Sequence, residues 1–587
     1  MTDSFKTTLC KDATIADITS DMIYQVKSGA AQSTYSSFTA STVSNSSLNI
    51  NVQVPSENVV MGRDVLLTSG LTFTLTITGV PAGQQAFQYG VDMALAAFPL
   101  SAIMTTLSAQ INNTTCSINL QDVLPSLLRM NNSRELYRYN GMTPSLPDQV
   151  YARYKDAVAT GNNPMGGIKN GSYDNDQVPR GSFPCRISIF HYVGGQLTDK
   201  SPESTAPTDY WEVVINTVVT EPLFLSPFIF GDPEYNSQGI MGINNMVFTM
   251  NIDANLNRMF SAGLFADDGT PIPVTIKAGT IYHPSIDAQE EIAANNNLFQ
   301  AVNFGGIVAP AQPTLLVKFL SVQPSDVIQP KNVVPYMSYP RYITSSAGGA
   351  ALAAGGKTTI TSSNLQLSQL PDLFIITVRK PMSSCRITDA NFFLKIQNIS
   401  VNLNNQSGLL ASASPEQLWR LSERNGSTQN WLEFSGVSVG NPIDGGVQGI
   451  ASEVGTTGSM LVLDPAYDLS LPDYLSSGSL GNYNFQFQIT VYNQSGQAFV
   501  PEVCVICCNS GVMVTDRGTT QTYTGILTKD MVLSAKGKPQ DTTSTESRRL
   551  VGGSIHNMGS SVKKHHTKTA HSAAAPHKRS SKLDGFF

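Results

Sequence analysis

GIMGINNMVF at residues 239–248 and GSLGNYNFQF at residues 478–487 share one template, Gly-x-x-Gly-x-x-Asn-x-x-Phe. Gly239, Gly242, Asn245 and Phe248 stand in the first, and Gly478, Gly481, Asn484 and Phe487 in the second. Glycine and Asn supply the backbone freedom of a turn. The residues after the turn alternate: Phe485, Phe487, Ile489 and Val491 are separated by Gln486, Gln488 and Thr490. Period two over such a run is a strand with one buried face. A turn-then-strand unit written again 239 residues later implies two β domains on one plan.

Other stretches echo in the same order. INNTTCSINLQDVLPSLLRM (111–130) lies over LNNQSGLLASASPEQLWRL (403–421), each with Asn-Asn, a small polar turn and a short helix. PTLLVKFLSVQ (313–323) lies over PEVCVICCNSG (501–511), and QSTYSSFTAS (32–41) over MSYPRYITSS (337–346). LNINVQV (48–54) and LTFTLTITG (71–79) alternate without a break, so the chain reads as strands throughout. Helices are expected to be short. The best candidate is ASPEQLWRLS, with Ser414 as N-cap, Pro415 at the first helical position and Gln417 closing a capping box.

The copies differ in length. Asn112 to Asn245 spans 133 residues and Asn404 to Asn484 spans 80, so the first copy carries 53 extra. They centre on a Gly- and Asn-rich stretch at 154–182, and a second expansion lies at 253–306. The expected organisation is an N-terminal arm (1–30), a first domain (31–325) with loop insertions at about 135–205 and 253–306, a second domain with its linker (326–535), and a tail (536–587).

Only 14% of the 587 residues are charged, against roughly 25% in an average globular protein. Ser, Thr, Asn and Gln replace them, giving a neutral polar surface that is cheap to desolvate and suits a subunit packed against copies of itself. MTDSFKTTLCKDAT has no basic start followed by an apolar run, so no secretory signal is expected, and no apolar run is long enough to span a membrane. The seven Cys are scattered and odd in number, which suits reduced thiols inside a cell.

The tail is different in kind. Residues 536–587 hold ten Lys or Arg against three Asp or Glu, near +7, which leaves the rest of the chain near −13. It is expected to be disordered and basic, with five of the seven His. Lys563, Lys564, Lys568, Lys578, Arg579 and Lys582 are the candidates for nonspecific phosphate contact. No aromatic is interleaved among them, so base stacking is not indicated.

With these stretches in hand, the chain resembles the double jelly-roll major capsid proteins of icosahedral double-stranded DNA viruses, in the virophage and polinton-like branch. TEPLFLSPF (220–228), GIMGINNMVFTMNI (239–252), LLVKFLSVQ (315–323), VVPYMSYPRYITS (333–345), GSLGNYNFQFQITVYNQSG (478–496) and GVMVTDRGTTQTYTGILT (511–528) carry the likeness. It covers roughly residues 30–530 and rests on tandem order and length. The resemblance implies an all-β chain of two tandem eight-stranded jelly rolls, with short helices in loops. It implies pseudo-hexameric homotrimers that tile a shell around a double-stranded DNA genome, assembled inside the host cell. Partners would be copies of itself, neighbouring capsomers, and penton and minor capsid proteins. RLVGGS (549–554) also resembles the sites cut by viral maturation cysteine proteases. Leu550, Gly552, Gly553 and Ser554 would form that site, and cleavage after Gly553 would free residues 554–587. Ile443-Asp444-Gly445-Gly446 matches the same pattern inside the second domain.

An enzyme would need reactive groups in the body, and only His191 and His283 lie outside the tail. Neither has the His-x-His spacing of a two-domain cupin metal site, so both are expected to be structural. The C-x-x-C at Cys504–Cys507 sits in an apolar strand without a second pair, which favours buried thiols over zinc. AAGGKTT (353–359) lacks the upstream Gly of a phosphate loop, and Glu290-Glu291 reads as a solvated pair. No catalytic residue, cofactor or metal is expected. The competing class is a tandem β-sandwich carbohydrate-binding or adhesin protein, which should carry a secretory signal.

Overall fold

The computed structural model describes residues 9–11, 24–26, 32–56, 59–80, 82, 93–131, 136–139, 143–147, 185–199, 205–206, 208–228, 239–262, 274–278, 281–284, 289–292, 303–304, 307–308, 312–321, 331–386, 389, 391–404, 406–440, 452–469, 471, 475–495, 497–516 and 518–525. Four large antiparallel sheets form two sandwiches. In the first sandwich, the eight principal strands in chain order are Gln32–Thr39, Ser47–Gln53, Leu66–Thr78, Met104–Ile111, Thr114–Ile118, Tyr210–Pro222, Asn245–Ile252 and Thr314–Ser321. In space the first, eighth, third and sixth lie side by side in one sheet, and the second, seventh, fourth and fifth in the other.

The second sandwich repeats that order. Its first strand is bent into Lys331–Ser338 and Arg341–Ser345, and both parts pair with the eighth, Glu502–Asp516. Leu373–Arg379 and Met460–Leu463 complete that sheet as third and sixth. The facing sheet has a second strand broken into Lys357–Thr361 and Leu365–Gln369, then Leu480–Tyr492, Lys395–Leu403 and Gln406–Leu409. Each sandwich is a jelly roll, as the resemblance implies.

Alternation builds the cores. Leu48, Ile50 and Val52 are buried while Asn51 and Gln53 are exposed. Met246, Phe248 and Met250 line the first core, and Phe485, Phe487, Ile489 and Val491 the second. Each such side chain contributes roughly 1.5–3 kcal/mol by leaving water. The Asn-Asn echoes fall on equivalent hairpins between the fourth and fifth strands, and each is followed by a helix, Leu120–Met130 or Pro415–Arg424. The second helix has the expected capping box: Gln417 N donates to Ser414 Oγ at 3.3 Å, and Ser414 N donates to Gln417 Oε1 at 2.9 Å.

Three details differ from the sequence reading. The opening template puts its left-handed glycine at different places, Gly242 (φ 74°) in one copy and Gly478 (φ 84°) in the other. The seventh strand therefore starts at Asn245 in one copy and earlier, at Leu480, in the other. The echo of residues 32–41 over 337–346 is out of register. Phe38 packs on the first core, whereas its aligned partner Ile343 is 40% exposed on the outer face. The ladder with the eighth strand sets the register, and a one-residue slip exchanges faces. Lastly, part of the stretch read as loop is strand: Cys185–Val193 and Gln196–Asp199 form a hairpin through Gly194 (φ 60°) and Gly195 (φ 83°). Both φ values are positive, as a type I′ hairpin turn requires. That hairpin and Val274–Ala278 help widen the first copy's 1-8-3-6 sheet to eight strands instead of four.

Candidate assembly surface

The strand Glu502–Asp516 sends alternate residues into two different cores. Val503, Val505 and Cys507 pack with Phe374, Ile376 and Phe485 inside the second sandwich. Cys504, Ile506 and Cys508 belong to the first sandwich's cluster, with Leu124, Leu128 and Phe224. Leu373 and Ile375 on the third strand do the same, as do Met460 and Val462 on the sixth. The 8-3-6 part of the second copy's sheet is thus buried on both faces, one of them against the first copy. Its strands read LFIITVR, MLVL and VCVICC in consequence, apolar without alternation.

The helix Leu120–Met130 is wedged at this junction, all of its residues buried. Asp122 on its first turn is bound by Arg379 of the third strand and Arg341 of the first. Arg379 Nε also donates to Glu502 Oε1 at 3.0 Å. At the helix's other end, Thr428 N and Oγ1 donate to the Arg129 carbonyl at 2.9 and 2.7 Å. The Arg129 guanidinium donates to Asn391 O at 2.6 Å and lies 5.0 Å from the Phe393 ring centre. Charges this deep persist only because each has partners.

The repeated template serves the junction too. Gly518 N donates to Gly242 O at 3.0 Å, Asn112 Nδ2 to Thr520 Oγ1 at 2.9 Å, and Thr520 N to Asn113 Oδ1 at 2.8 Å. Ser226 Oγ, in the segment after the first copy's sixth strand, accepts from Met337 N at 2.9 Å.

The residues with chemical potential are housed as structure. His191 is buried, stacked on Trp211 at 4.6 Å between ring centres, and its Nε2 lies 3.1 Å from Asp209 Oδ2. Burial alone would raise the Asp209 carboxyl. Donors from the Thr205 hydroxyl, the Thr205 and Ala206 amides and His191 outweigh it and hold the pKa at about 2. All of these donors converge on Oδ2, which makes the pair an internal structural contact. Cys504, Cys507 and Cys508 are free and buried. Lys357 of AAGGKTT opens a strand, Lys357–Thr361, where a phosphate loop needs a helix. Among the described residues no group of three or more His, Cys, Asp or Glu could hold a metal, and no helix is long and apolar enough to cross a membrane.

The side chains of His283, Glu290 and Glu291 lie outside what is described. So do Leu550, Gly552, Gly553, Ser554, Lys563, Lys564, Lys568, Lys578, Arg579 and Lys582 of the tail, Ile443-Asp444-Gly445-Gly446, and the 154–182 stretch. The sequence reading missed the Asp122–Arg379–Glu502 network. Its signal was present in LFIITVR, a doubly buried strand that ends in a charge which must find a partner.

Comparison with known proteins places this architecture. Residues 3–298 match the family model described as Sputnik virophage major capsid protein 1st domain, and residues 339–511 match Major capsid protein V20 C-terminal domain. The Sputnik virophage capsid protein V20 is 26% identical over 547 residues, 92% of this chain and 82% of that protein. A chain in the cryo-EM structure of the Sputnik virophage superposes with a TM-score of 0.71 at 24% identity, covering 91% of this chain and 96% of that one. The crystal structure of the mavirus major capsid protein gives 0.61 at 17% identity, covering 86% and 93%.

Proposed function

Because the chain belongs to the Sputnik virophage major capsid protein family, and is a virion shell protein rather than an enzyme, we propose that it works as a homotrimer, a ring of six jelly rolls that tiles the capsid around double-stranded DNA. The observation that carries this is the junction. Two sandwiches of one topology meet head to tail, the sheet face of the second on the helix side of the first. A contact between unlike surfaces of like units leaves one of each surface unmatched, so it repeats, and it forms a ring when the rotation between units closes. Three chains supply six sandwiches. The low-charge outer faces suit such flanks.

Native mass tests it. One chain is 63.0 kDa, so the trimer is about 189 kDa. A stable species there, or shells built from it, supports the reading, and a clean monomer at micromolar concentration defeats it.

In the same proposal, residues 31–325 and 326–535 are the two jelly-roll halves, and the tail 536–587 faces inward. Lys563, Lys564, Lys568, Lys578, Arg579 and Lys582 would neutralise phosphates without reading sequence, so DNA affinity should fall steeply with salt. Deleting residues 536–587 should abolish DNA binding and leave the mass of the assembled trimer reduced only by its tails. Removal of residues 554–587 by a maturation protease acting after Gly553 belongs to the same reading, with intact-mass analysis of virion-derived protein as its test. Penton and minor capsid proteins, and assembly inside the host cell, complete it.

A further inference from the structure

We infer which surfaces close the ring: the helical cap of the second jelly roll in one copy, bearing Trp431, Leu432 and Tyr467, docks on the outer face of the first jelly roll's 1-8-3-6 sheet in the next, around Tyr35. The inference rests on the trimer reading and deepens it.

The internal repeat points to these two surfaces. Within one chain, the second copy's 1-8-3-6 sheet is covered by two parts of the first copy. One is the helix after the fifth strand, Leu120–Met130. The other is the segment after the sixth strand, where Leu223, Phe224, Leu225 and Phe228 are buried and Ser226 bonds Met337. In the second copy the same two places are held by the helix Pro415–Arg424 with its neighbour Trp431–Ser435, and by the short helix Pro465–Asp468. These stay open to solvent: Trp431 is 36%, Leu432 52% and Tyr467 51% exposed.

They form one platform. Trp431 packs edge-on against Trp419 at 5.8 Å, and Arg420 lies 4.3 Å over the Trp419 ring. Arg424 and Asn425 both bind Asp468, which ties the third helix to the first.

The opposite member is the outer face of the first copy's sheet. Leu316 and Lys318 stand there where the second copy has Cys504 and Ile506, the residues buried against the first copy. Tyr35 pairs with Lys318 in the ladder, as Arg341 pairs with Ile506. Arg341 is the residue that reaches Asp122. Tyr35 is 64% exposed, and its equivalent in the intrachain contact is an anchor. Seven large apolar side chains are exposed among the described residues, and four of them fall on these two surfaces. An exposed aromatic platform and the exposed first-strand side of that sheet around Tyr35, where the third and sixth strands are already covered within the chain at Thr72, Val214 and Asn216, fit a second copy of this chain.

The test uses the full chain. A Tyr35→Cys/Leu432→Cys variant treated with a short bismaleimide should give covalent dimers and trimers and stop there, while neither single variant does. Leu432→Arg with Tyr467→Arg should weaken association by at least roughly 30-fold, as expected for hot-spot loss, with an unchanged monomer circular dichroism spectrum. Adding Tyr35→Glu to that pair should recover part of it. A wild-type monomer overturns the trimer reading and this inference together. A wild-type trimer near 189 kDa whose Arg variant stays assembled, and whose Cys pair does not link, overturns this inference alone.

Discussion

Asn404 and Asn484 hold each other by two hydrogen bonds: the Asn404 amide donates to the Asn484 carbonyl at 2.8 Å, and the Asn484 amide donates to Asn404 Oδ1 at 2.9 Å. Asn112 and Asn245 repeat the first bond at 2.8 Å, and Asn112 Oδ1 accepts from Asn244 at 2.8 Å. Both hairpin residues are left-handed, with φ of 53° at Asn404 and 52° at Asn112. Asn tolerates that conformation and its short side chain reaches the neighbouring strand. This is why Asn recurs at the same hairpin position, Asn112 and Asn404, in both copies.

Asn404→Ala should therefore lose both the tolerance and the acceptor, at a cost of about 2 kcal/mol. Asn404→Gly keeps the backbone freedom and should cost about half as much. Thermal unfolding of the two variants would check the order; an Ala variant as stable as the Gly variant would show that the φ carries no penalty.

Asp122 ties two strands of the second sandwich to a helix of the first. Asp122→Ala leaves Arg341 and the buried Arg379 without it, although Arg379 keeps Glu502. A loss of roughly 3 kcal/mol is expected, because a buried charge is left short of partners. Denaturant unfolding should then separate into two transitions as the sandwiches uncouple. A single transition at the wild-type midpoint would mean that the apolar contact alone sets the junction.

Glu221 points into the first core and accepts from the amides of Leu100 and Ser101 at 2.9 and 2.8 Å and from Ser101 Oγ at 2.5 Å. Burial pushes its pKa up to about 7 despite those donors. Raised above its unfolded value, the group contributes stability that is full below about pH 4.5 and is lost as pH climbs through about 7. Wild type should thus lose roughly 2 kcal/mol relative to Glu221→Gln between pH 5 and 8. Melting both proteins at the two pH values checks the sign; a gap that is constant with pH removes the effect.

Burial also raises the Cys116 and Cys504 thiols to about 11. At pH 8 both should stay protonated and resist iodoacetamide in the native protein, then react on unfolding in urea. Peptide mass mapping reads the difference. Alkylation of native Cys504 at a free-thiol rate would contradict the two-faced burial of its strand.

The fold was legible in the sequence because jelly-roll strands are one-sided. Leu48–Ile50–Val52 and Phe485–Phe487–Ile489 announce their buried faces by period two. The repeats then order those strands into two copies. Where a strand is buried on both faces, as in Leu373–Arg379, periodicity is silent about what lies on the second side. The hairpin at Gly194-Gly195 carries a readable turn signal, but it sits inside a long insertion whose loop-like composition masks it. The Phe38 and Ile343 mismatch was not readable, since residue likeness does not fix ladder register.

Local pattern was enough for two β domains on one plan, the short capped helix at Pro415, the likeness to capsid proteins and the basic tail, because each depends on neighbours within a few residues. Tertiary packing alone settled that Cys504 and Cys507 belong to different cores, that Asp122 finds Arg379 across 257 positions of chain, and that Trp431 and Leu432 are left exposed. Those facts come from how two sandwiches meet, and that meeting joins residues that no local pattern relates.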